Sequence, residues 1–182
     1  QLLLSRGIAP AELERHRSHM EELVEERTAE LEAANRRLQT SDTRLKAMFA
    51  MSQKADSVDE KTLLQMGVDE AVRLTGSEIG YLHLVHDDQE SIQMVAWSAG
   101  TLARCTAIHD AHYPIAAAGV WADSVRQRQA VVHNDYPALP GRRGYPAGHV
   151  PLTRHLGVPV IENGAVRLLL GVGNKAGDYD AN

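Results

Sequence analysis

The residues best equipped for chemistry are concentrated in one stretch, which runs from Gly119 to Arg154. After a short helical pattern and a brief apolar run, it enters about twenty residues rich in glycine, proline, asparagine and aspartate, a composition typical of irregular structure. Such a long loop in a compact domain is usually a lid or a binding segment. Its polar and aromatic side chains include His133, Asn134, Asp135, Tyr136, Tyr145, His149 and Arg154. We therefore expect binding chemistry in this stretch.

A second chemical pattern overlaps the approach to that stretch. Cys105, His109 and His112 have a C-x3-H-x2-H spacing that is compatible with zinc. Structural zinc sites usually need four protein ligands, and no fourth ligand is evident nearby, so we predict no metal site. Cys105 by itself is typical of a small buried apolar residue. His149 is able to ligate a metal or haem iron, or to hold the loop by bonding to carbonyl groups.

The bulk composition limits the class of protein. The chain has 182 residues, 43% of them hydrophobic, which is enough for one domain and an extension. A formal net charge of -5 does not favour nucleic-acid binding. The single cysteine excludes an intrachain disulfide framework and is typical of a cytoplasmic protein. No apolar run approaches the roughly 18 residues that a membrane-spanning helix needs. The absence of an initiator methionine and the stop at Asn182 predict a fragment of a longer polypeptide.

Apolar residues recur at a seven-residue spacing between Ala11 and Ser52, a range without glycine or proline. Heptad position a holds Arg17, Val24, Leu31, Leu38 and Leu45, and position d holds Leu13, Met20, Arg27, Ala34, Ser41 and Met48. The repeat predicts a parallel homodimeric coiled coil over residues 13–48, within a helical segment of residues 1–52. The alternative is one amphipathic helix lying on the globular domain.

The elements after residue 52 predict how the binding stretch is positioned. A helix is expected to end at Gly76, followed by an antiparallel hairpin of residues 79–86 and 92–97. Both strands are apolar on both faces, which predicts a sheet covered by helices on each side. Residues 99–118 are expected to be irregular or loosely helical, and residues 130–132 to form a strand.

A second hairpin is predicted near the C-terminus. Asn163-Gly164 joins two apolar runs, Val158 to Ile161 and Ala165 to Val172, and this dipeptide is the strongest short hairpin signal. Pro159 is expected at a sheet edge or beside a gap in the ladder, because proline has no N–H to donate. The order of elements predicts an α+β fold with a central antiparallel β-sheet flanked by helices.

Several motifs in this order resemble those of GAF domains, in the branch found in bacterial sensor histidine kinases and diguanylate cyclases. They are Cys105, His112-Tyr113-Pro114, Gly119-Val120-Trp121, His133-Asn134-Asp135-Tyr136, Gly144-Tyr145-Pro146-Ala147-Gly148-His149, Arg154 before Val158-Pro159, and Leu170-Gly171-Val172-Gly173-Asn174-Lys175 followed by Tyr179. Residues 23–31 are similar to the signalling helix that joins sensor modules in such receptors. The resemblance implies a GAF sensor domain over residues 53–182, with the closing helix truncated after Tyr179.

The resemblance also implies a regulatory function without chemistry of its own, and the sequence contains no evident catalytic motif. One hypothesis is a sensor of a small organic molecule that signals through a dimeric coiled coil to an output domain of the same polypeptide. The second is a haem-based gas or redox sensor that uses Cys105 and His149. The third is a ligand-free module for dimerisation and relay. A lesser variant is cyclic nucleotide binding, because Asn174-Lys175 and Tyr179 are similar to part of a phosphodiesterase GAF motif.

The predicted pocket lies between the sheet and the crossover of residues 105–154. Trp121 and Tyr145 are expected to form apolar walls, and Cys105, His112, His149 and Arg154 to provide the polar groups that orient a ligand. Tyr81, His83 and Trp97 form its floor if their sheet face looks inward. We expect residues 133–135 to hold the loop through side-chain bonds to the backbone. Arg154 either binds a carboxylate of the ligand or pairs with Asp135.

Overall fold

A computed structural model of the chain describes residues 10–106, 112–141 and 148–180, without the side chains of residues 112 and 113. The chain divides into two compact units between Met48 and Phe49. The predicted boundary between the signalling helix and the GAF domain, at residue 52, stays a prediction.

The long N-terminal helix predicted from the heptads is present as α1 (Pro10–Ala55). Proline is tolerated at its first position because the first turn has no intrahelical partner for an N–H. The apolar residues of the heptad seam are 57–70% exposed: Leu13, Met20, Val24, Leu31, Leu38, Leu45 and Met48. None of the described helices is both long and apolar enough to cross a membrane.

The second helix, α2 (Glu60–Thr75), begins and ends at capping residues. The Asp59 carboxylate accepts a hydrogen bond from the backbone N–H of Thr62 at 2.7 Å. Gly76 adopts the left-handed conformation, and its N–H bonds back to the carbonyl groups of the last turn. The predicted stop at Gly76 is thus confirmed.

Six strands form one antiparallel sheet in the spatial order β3-β2-β1-β6-β5-β4. The first hairpin pairs β1 (Ile79–Val85) with β2 (Ser91–Trp97), and the second pairs β5 (His155–Glu162) with β6 (Ala165–Gly173). Asn163 and Gly164 both have positive φ, as the predicted two-residue turn requires. The α+β prediction is confirmed.

The crossover between the hairpins contains short elements. They are α3 (Ala99–Arg104), β3 (His112–Pro114), a 3-10 turn at Ile115–Ala117, another at Val120–Ala122, α4 (Asp123–Gln127), β4 (Val131–His133) and a third 3-10 turn at Tyr136–Ala138. The expectation that residues 99–118 are irregular or loosely helical is confirmed by α3 and the first 3-10 turn, but it missed β3, which pairs with β2. Within the described residues β4 pairs with β5 only at positions 155–157, so Pro159 lies beside a gap in the ladder, as predicted.

The sheet has two differently covered faces. On one face, here called the α2 face, Val68 of α2 packs against Leu82 and Ala96. The opposite face, here called the crossover face, is covered by segments between β2 and β5. There Val85, Ile92 and Leu169 of the sheet pack with Ala122 and Val125 of the crossover.

Candidate functional site

The crossover face carries a continuous group of aromatic and imidazole side chains, here called the aromatic cluster. Its members are Tyr81, His83, Trp121, His133, Tyr136 and His155. Alternation along β1 places Tyr81 and His83 on the same face. The His83 ring stacks on Trp121 with centroids 4.9 Å apart, and Tyr81 meets Trp121 edge-on at 5.7 Å.

A second part of the aromatic cluster forms around β4 and β5. His133 and His155 are paired residues of these strands, and their rings stack with centroids 5.9 Å apart. Tyr136 approaches the edge of His155 at 5.8 Å. Tyr136 and His155 are each only 1% exposed. The rings therefore form a layer from β1 to the sheet edge at β4, fully buried at Tyr136 and His155 and partly exposed at His133.

Tyr81 connects the two parts by lying across the intervening strand. Its hydroxyl is 2.8 Å from His155 Nε2, although β6 separates β1 from β5 in the sheet. This contact needs a glycine beneath the ring, because a Cβ on Gly171 would lie 2.1 Å from Tyr81 Cζ. Gly171 is paired with Tyr81 on one side and with Gly157 on the other. Gly171 thus allows the contact between Tyr81 and His155.

Burial keeps His155 neutral. The pKa of His155 is lowered from 6.5 to about 3, mainly because the ring is removed from water and also because His133 lies nearby. Its Nε2 bonds to Tyr81, but its Nδ1 has no hydrogen-bond partner among the described residues. An imidazole nitrogen that is buried in this way normally bonds to protein, water or a ligand.

Two neighbouring polar atoms share that condition within the described part of the chain. Ser124 Oγ on α4 is buried without a hydrogen-bond partner, and so is His133 Nε2. The nearest carboxylate oxygen to His133 Nε2 is Asp123 Oδ2 at 3.9 Å, which is too long for a hydrogen bond. Ser124 packs against β5 where Gly157 leaves room, since a Cβ there would lie 2.8 Å from Ser124 Oγ.

Among the predicted site residues, Trp121 lies in the aromatic cluster, whereas Cys105 and His149 lie beside it. Cys105 is a free, buried thiol in contact with Trp97. His149 meets Trp97 edge-on at 6.0 Å, and its Nδ1 donates to the Val150 carbonyl at 2.6 Å. The Thr106 N–H donates to the Gly148 carbonyl at 3.0 Å, which brings the two segments together.

The remaining predicted residues are placed differently or fall outside the described residues. Arg154 Nε donates to Asp178 at 2.9 Å, so the alternative in which Arg154 pairs with Asp135 is wrong, and its contact with a ligand stays a prediction. The His112 backbone belongs to β3, while its side chain and all of His109 and Tyr145 lie outside the described residues. Among described residues, no group of three or more His, Cys, Asp or Glu side chains is arranged to hold a metal ion.

Sequence reasoning missed His155 and Ser124. His155 begins a strand directly after the predicted Arg154, and His155 and Gly157 are two positions apart. Two-residue spacing places His155 and Gly157 on one face of the strand, and this spacing is the signal that could have identified His155. Tyr81 and His83 lie on the crossover face, as the predicted floor requires, and their role as the floor of a pocket stays a prediction.

The sequence profile of the GAF domain family matches residues 57–182. A methyl sulfide methyltransferase-associated sensor from Methanosarcina acetivorans is 39% identical over 141 residues, which is 76% of this chain. The chain spans 14% of that relative's length.

Two solved structures show the same fold. The GAF domain of a phosphoenolpyruvate-protein phosphotransferase from Coxiella burnetii has a TM-score of 0.60 and 14% identity, with 75% of this chain and 81% of that chain covered. A free methionine-R-sulfoxide reductase from Neisseria meningitidis, solved with its substrate, has a TM-score of 0.56 and 16% identity, with 75% of each chain covered. With the profile match over most of its length, this chain belongs to the GAF domain family.

Proposed function

We propose that this GAF domain is a non-catalytic sensory module of a larger signal-transduction receptor, and that it binds a small organic molecule against the aromatic cluster. The observation that carries the proposal is the set of buried polar atoms, His155 Nδ1, His133 Nε2 and Ser124 Oγ, without hydrogen-bond partners among the described residues. A buried polar group left unpaired costs about 1–3 kcal/mol, so water or a ligand that completes the bond stabilises the fold. The similarity to a protein described as a sensor supports the sensory role.

Bound small molecules are best detected in freshly purified protein. Native mass spectrometry is expected to show a non-covalent mass, and Trp121→Ala is expected to reduce its occupancy because the ring that covers His83 is lost. Leu102→Ala is the matched control, since Leu102 lies on α3 and is 58% exposed. The proposal is contradicted by a wild-type protein that carries no additional mass and whose melting temperature is unchanged by every compound of a metabolite library.

We further propose that two copies of α1 form a parallel coiled coil, which transmits the signal to an output domain of the same polypeptide. The support is the exposed apolar seam, in which Val24, Leu31 and Leu38 are 59–70% exposed. Exposed apolar stripes of this length are typical of helices that have a partner. A second copy is the favoured partner because the seam follows a heptad repeat throughout.

Cysteine crosslinking tests the register of this dimer. Leu31→Cys is expected to form disulfide dimers rapidly, because position a faces the partner helix. Glu32→Cys is the matched control one residue away, on a side chain that faces outward in this register. Equal crosslinking of the two variants would show that the seam is misassigned. These variants are made in the Cys105→Ser background, so that the native thiol does not contribute.

The absence of turnover is part of the proposal and is tested separately. Cys105 is the only cysteine in these 182 residues, so an intrachain thiol–disulfide cycle has no second thiol here. The purified protein is expected to leave methionine sulfoxide, nucleotides and model esters unchanged. Turnover that is lost in Cys105→Ser or His149→Ala would refute this part.

A haem sensor is the second candidate function, and the proximity of the Cys105 and His149 segments favours it. The bond between Thr106 and Gly148 brings these segments together beside Trp97. Because His149 Nδ1 donates to a carbonyl, the neutral ring has its lone pair on Nε2, the atom that would ligate iron. Bound haem would supply redox or gas-binding chemistry. A Soret band that is lost in His149→Ala selects this candidate, and its absence after haem reconstitution excludes it.

A further inference from the structure

Asn134 forms a double hydrogen bond with a distant segment of main chain. Its Nδ2 donates to the Tyr179 carbonyl at 3.0 Å, and its Oδ1 accepts from the Tyr179 N–H at 2.8 Å. One carboxamide thus satisfies both backbone groups of one residue, as a neighbouring strand would. Asn134 was expected to hold its own loop, but it holds the C-terminal tail, defined here as residues 174–180.

The residues on either side of Asn134 belong to the aromatic cluster. His133 stacks on His155, and Tyr136 lies edge-on to His133 with centroids 6.1 Å apart. The backbone N–H of Tyr136 donates to the Thr153 carbonyl at 3.0 Å. A shift of His133 or Tyr136 therefore changes the position of the carboxamide between them, because only one or two residues of backbone separate the groups.

The sheet brings the aromatic cluster next to the residue before the tail, but none of the described strand pairs includes Tyr179. His155 is paired with His133 on one side and with Gly173 on the other, and Gly173 is the last residue of β6 before the tail. β4 has only three residues and forms the edge of the sheet. Short edge strands belong to the part of a fold that opens most easily, so β4 is the element whose position the aromatic cluster can alter.

The tail has further contacts that do not involve the aromatic cluster directly. The Tyr179 hydroxyl is 2.6 Å from Ser77 Oγ, just after α2. Asp178 accepts from Arg154, and Asn174 Oδ1 accepts from the Thr153 N–H at 2.9 Å. Among the described contacts of residues 178 and 179, those with Asn134 link the tail to the His133–Tyr136 segment, whereas those with Ser77 and Arg154 do not.

We propose that Asn134 is the positioning residue that couples the state of the aromatic cluster to the C-terminal tail, so that a change in the packing of His133 or Tyr136 alters how firmly Tyr179 is held. The proposal rests on the sensory function above and names the route by which the site communicates with the tail. It requires that perturbations of the cluster reach Tyr179 only while the Asn134 carboxamide is present.

Hydrogen exchange of the Tyr179 amide in the 182-residue chain measures the bond directly. Asn134→Ala is expected to accelerate this exchange by about tenfold or more, since both hydrogen bonds are lost. Asn134→Asp keeps an oxygen that accepts from the Tyr179 N–H, and is expected to give an intermediate rate. Equal rates in wild type and Asn134→Ala would overturn the proposal.

A double-mutant cycle then tests coupling as distinct from simple anchoring. His133→Phe keeps a stacking ring and is expected to change Tyr179 exchange by about two- to thirty-fold. In the Asn134→Ala background His133→Phe is expected to have no further effect. In the Asp178→Ala background, the matched control, its effect is expected to persist in full, because the Arg154 contact does not pass through Asn134.

If His133→Phe does not fold, Tyr136→Phe takes its place, because it removes only a hydroxyl. A cluster substitution that leaves Tyr179 exchange unchanged, or that acts equally with and without Asn134, overturns the coupling. The cycle uses no ligand, so its failure is distinguishable from failure of the sensory function, which native mass spectrometry tests independently.

Discussion

The two faces of the sheet differ in chemistry although the same strands build both. On β1, Leu82 faces α2 and packs against Val68, whereas Tyr81 and His83 face the crossover. Val68 is fully buried and Leu82 is 6% exposed. The α2 face described here is packed by aliphatic side chains, and the crossover face adds rings that carry nitrogen and oxygen.

The difference indicates a division of labour. Aliphatic packing stabilises a fold in proportion to buried area and needs no partner atoms. Buried imidazoles and hydroxyls stabilise the fold only when their hydrogen bonds are completed, and His155 Nδ1 and Ser124 Oγ lack partners among the described residues. The proposed sensory function therefore assigns ligand response to the crossover face, while the α2 face holds the strands in place.

The largest expected effect is on the α2 face. Leu82→Ala is expected to lower the free energy of unfolding by about 2–5 kcal/mol, because it leaves a cavity against Val68. Urea titration measures this, and Leu84→Ala on the same strand is the matched control, since Leu84 is 37% exposed. Tyr179 exchange and ligand mass are expected to stay unchanged. A loss of bound ligand in Leu82→Ala, at a temperature where it is folded, would contradict the division between the faces.

The pH dependence of stability is expected to come from the crossover face. The pKa of His155 is lowered to about 3 in the folded chain, against 6.5 when unfolded. Between these pH values His155 is protonated in the unfolded chain and neutral in the folded chain. Protonation therefore favours unfolding, and the free energy of unfolding falls as the pH falls. The expected loss from pH 7 to pH 5 is about 2 kcal/mol.

His155→Gln is the variant that isolates this contribution. Tyr81, His133 and Tyr136 remain around the position, and Asp123 lies near His133, so the difference between wild type and variant assigns the slope to His155. Denaturant titrations at both pH values measure it. Identical slopes in the two proteins would show that His155 is not held neutral by burial.

A smaller effect is expected where the glycine of β6 makes room for Tyr81. Gly171→Ala is expected to destabilise the fold by about 1–3 kcal/mol, because the added Cβ overlaps the ring. The penalty is expected to shrink in the Tyr81→Ala background. Gly177→Ala is the matched control, since a Cβ there has no neighbour within 4 Å. Thermal denaturation of wild type, Gly171→Ala, Tyr81→Ala and the double variant decides whether positions 171 and 81 interact.

The smallest expected effect concerns one hydrogen bond. Tyr81→Phe removes the hydroxyl that contacts His155 and is expected to cost about 0.5–1.5 kcal/mol while keeping the ring in place. If the bond orients His155 toward a ligand, ligand affinity falls together with stability. Unchanged stability and unchanged affinity would mean that the contact between β1 and β5 has no energetic role.

Local signals in the sequence predicted much of the fold. Asp59 and Gly76 bracket α2 because capping depends on one side chain and one backbone angle. Asn163 and Gly164 adopt the turn that their residue types favour. β3 was missed because residues 112–114 become a strand only by pairing with β2, a long-range contact that leaves no local pattern.

The candidate site could be predicted only in part. The composition of residues 119–154 pointed to the region that contributes Trp121, His133 and Tyr136 to the aromatic cluster. Of the two alternatives for Arg154, pairing with Asp135 is replaced by pairing with Asp178, and contact with a ligand stays a prediction. The choice among acidic partners depends on where the tail lies, and that position is determined by contacts between residues far apart in sequence.

The sequence by itself determined most of the elements and their order, the turn at Asn163-Gly164 and the family resemblance, because these depend on neighbours within a few residues. Only the tertiary structure decided which sheet face carries Tyr81 and His83, that Gly171 lets Tyr81 reach His155, and that Asn134 holds Tyr179. Side-chain alternation defines two faces without saying which is covered by what. The covering elements are selected by burial and hydrogen bonding across the whole domain, and these arise only when the strands have come together.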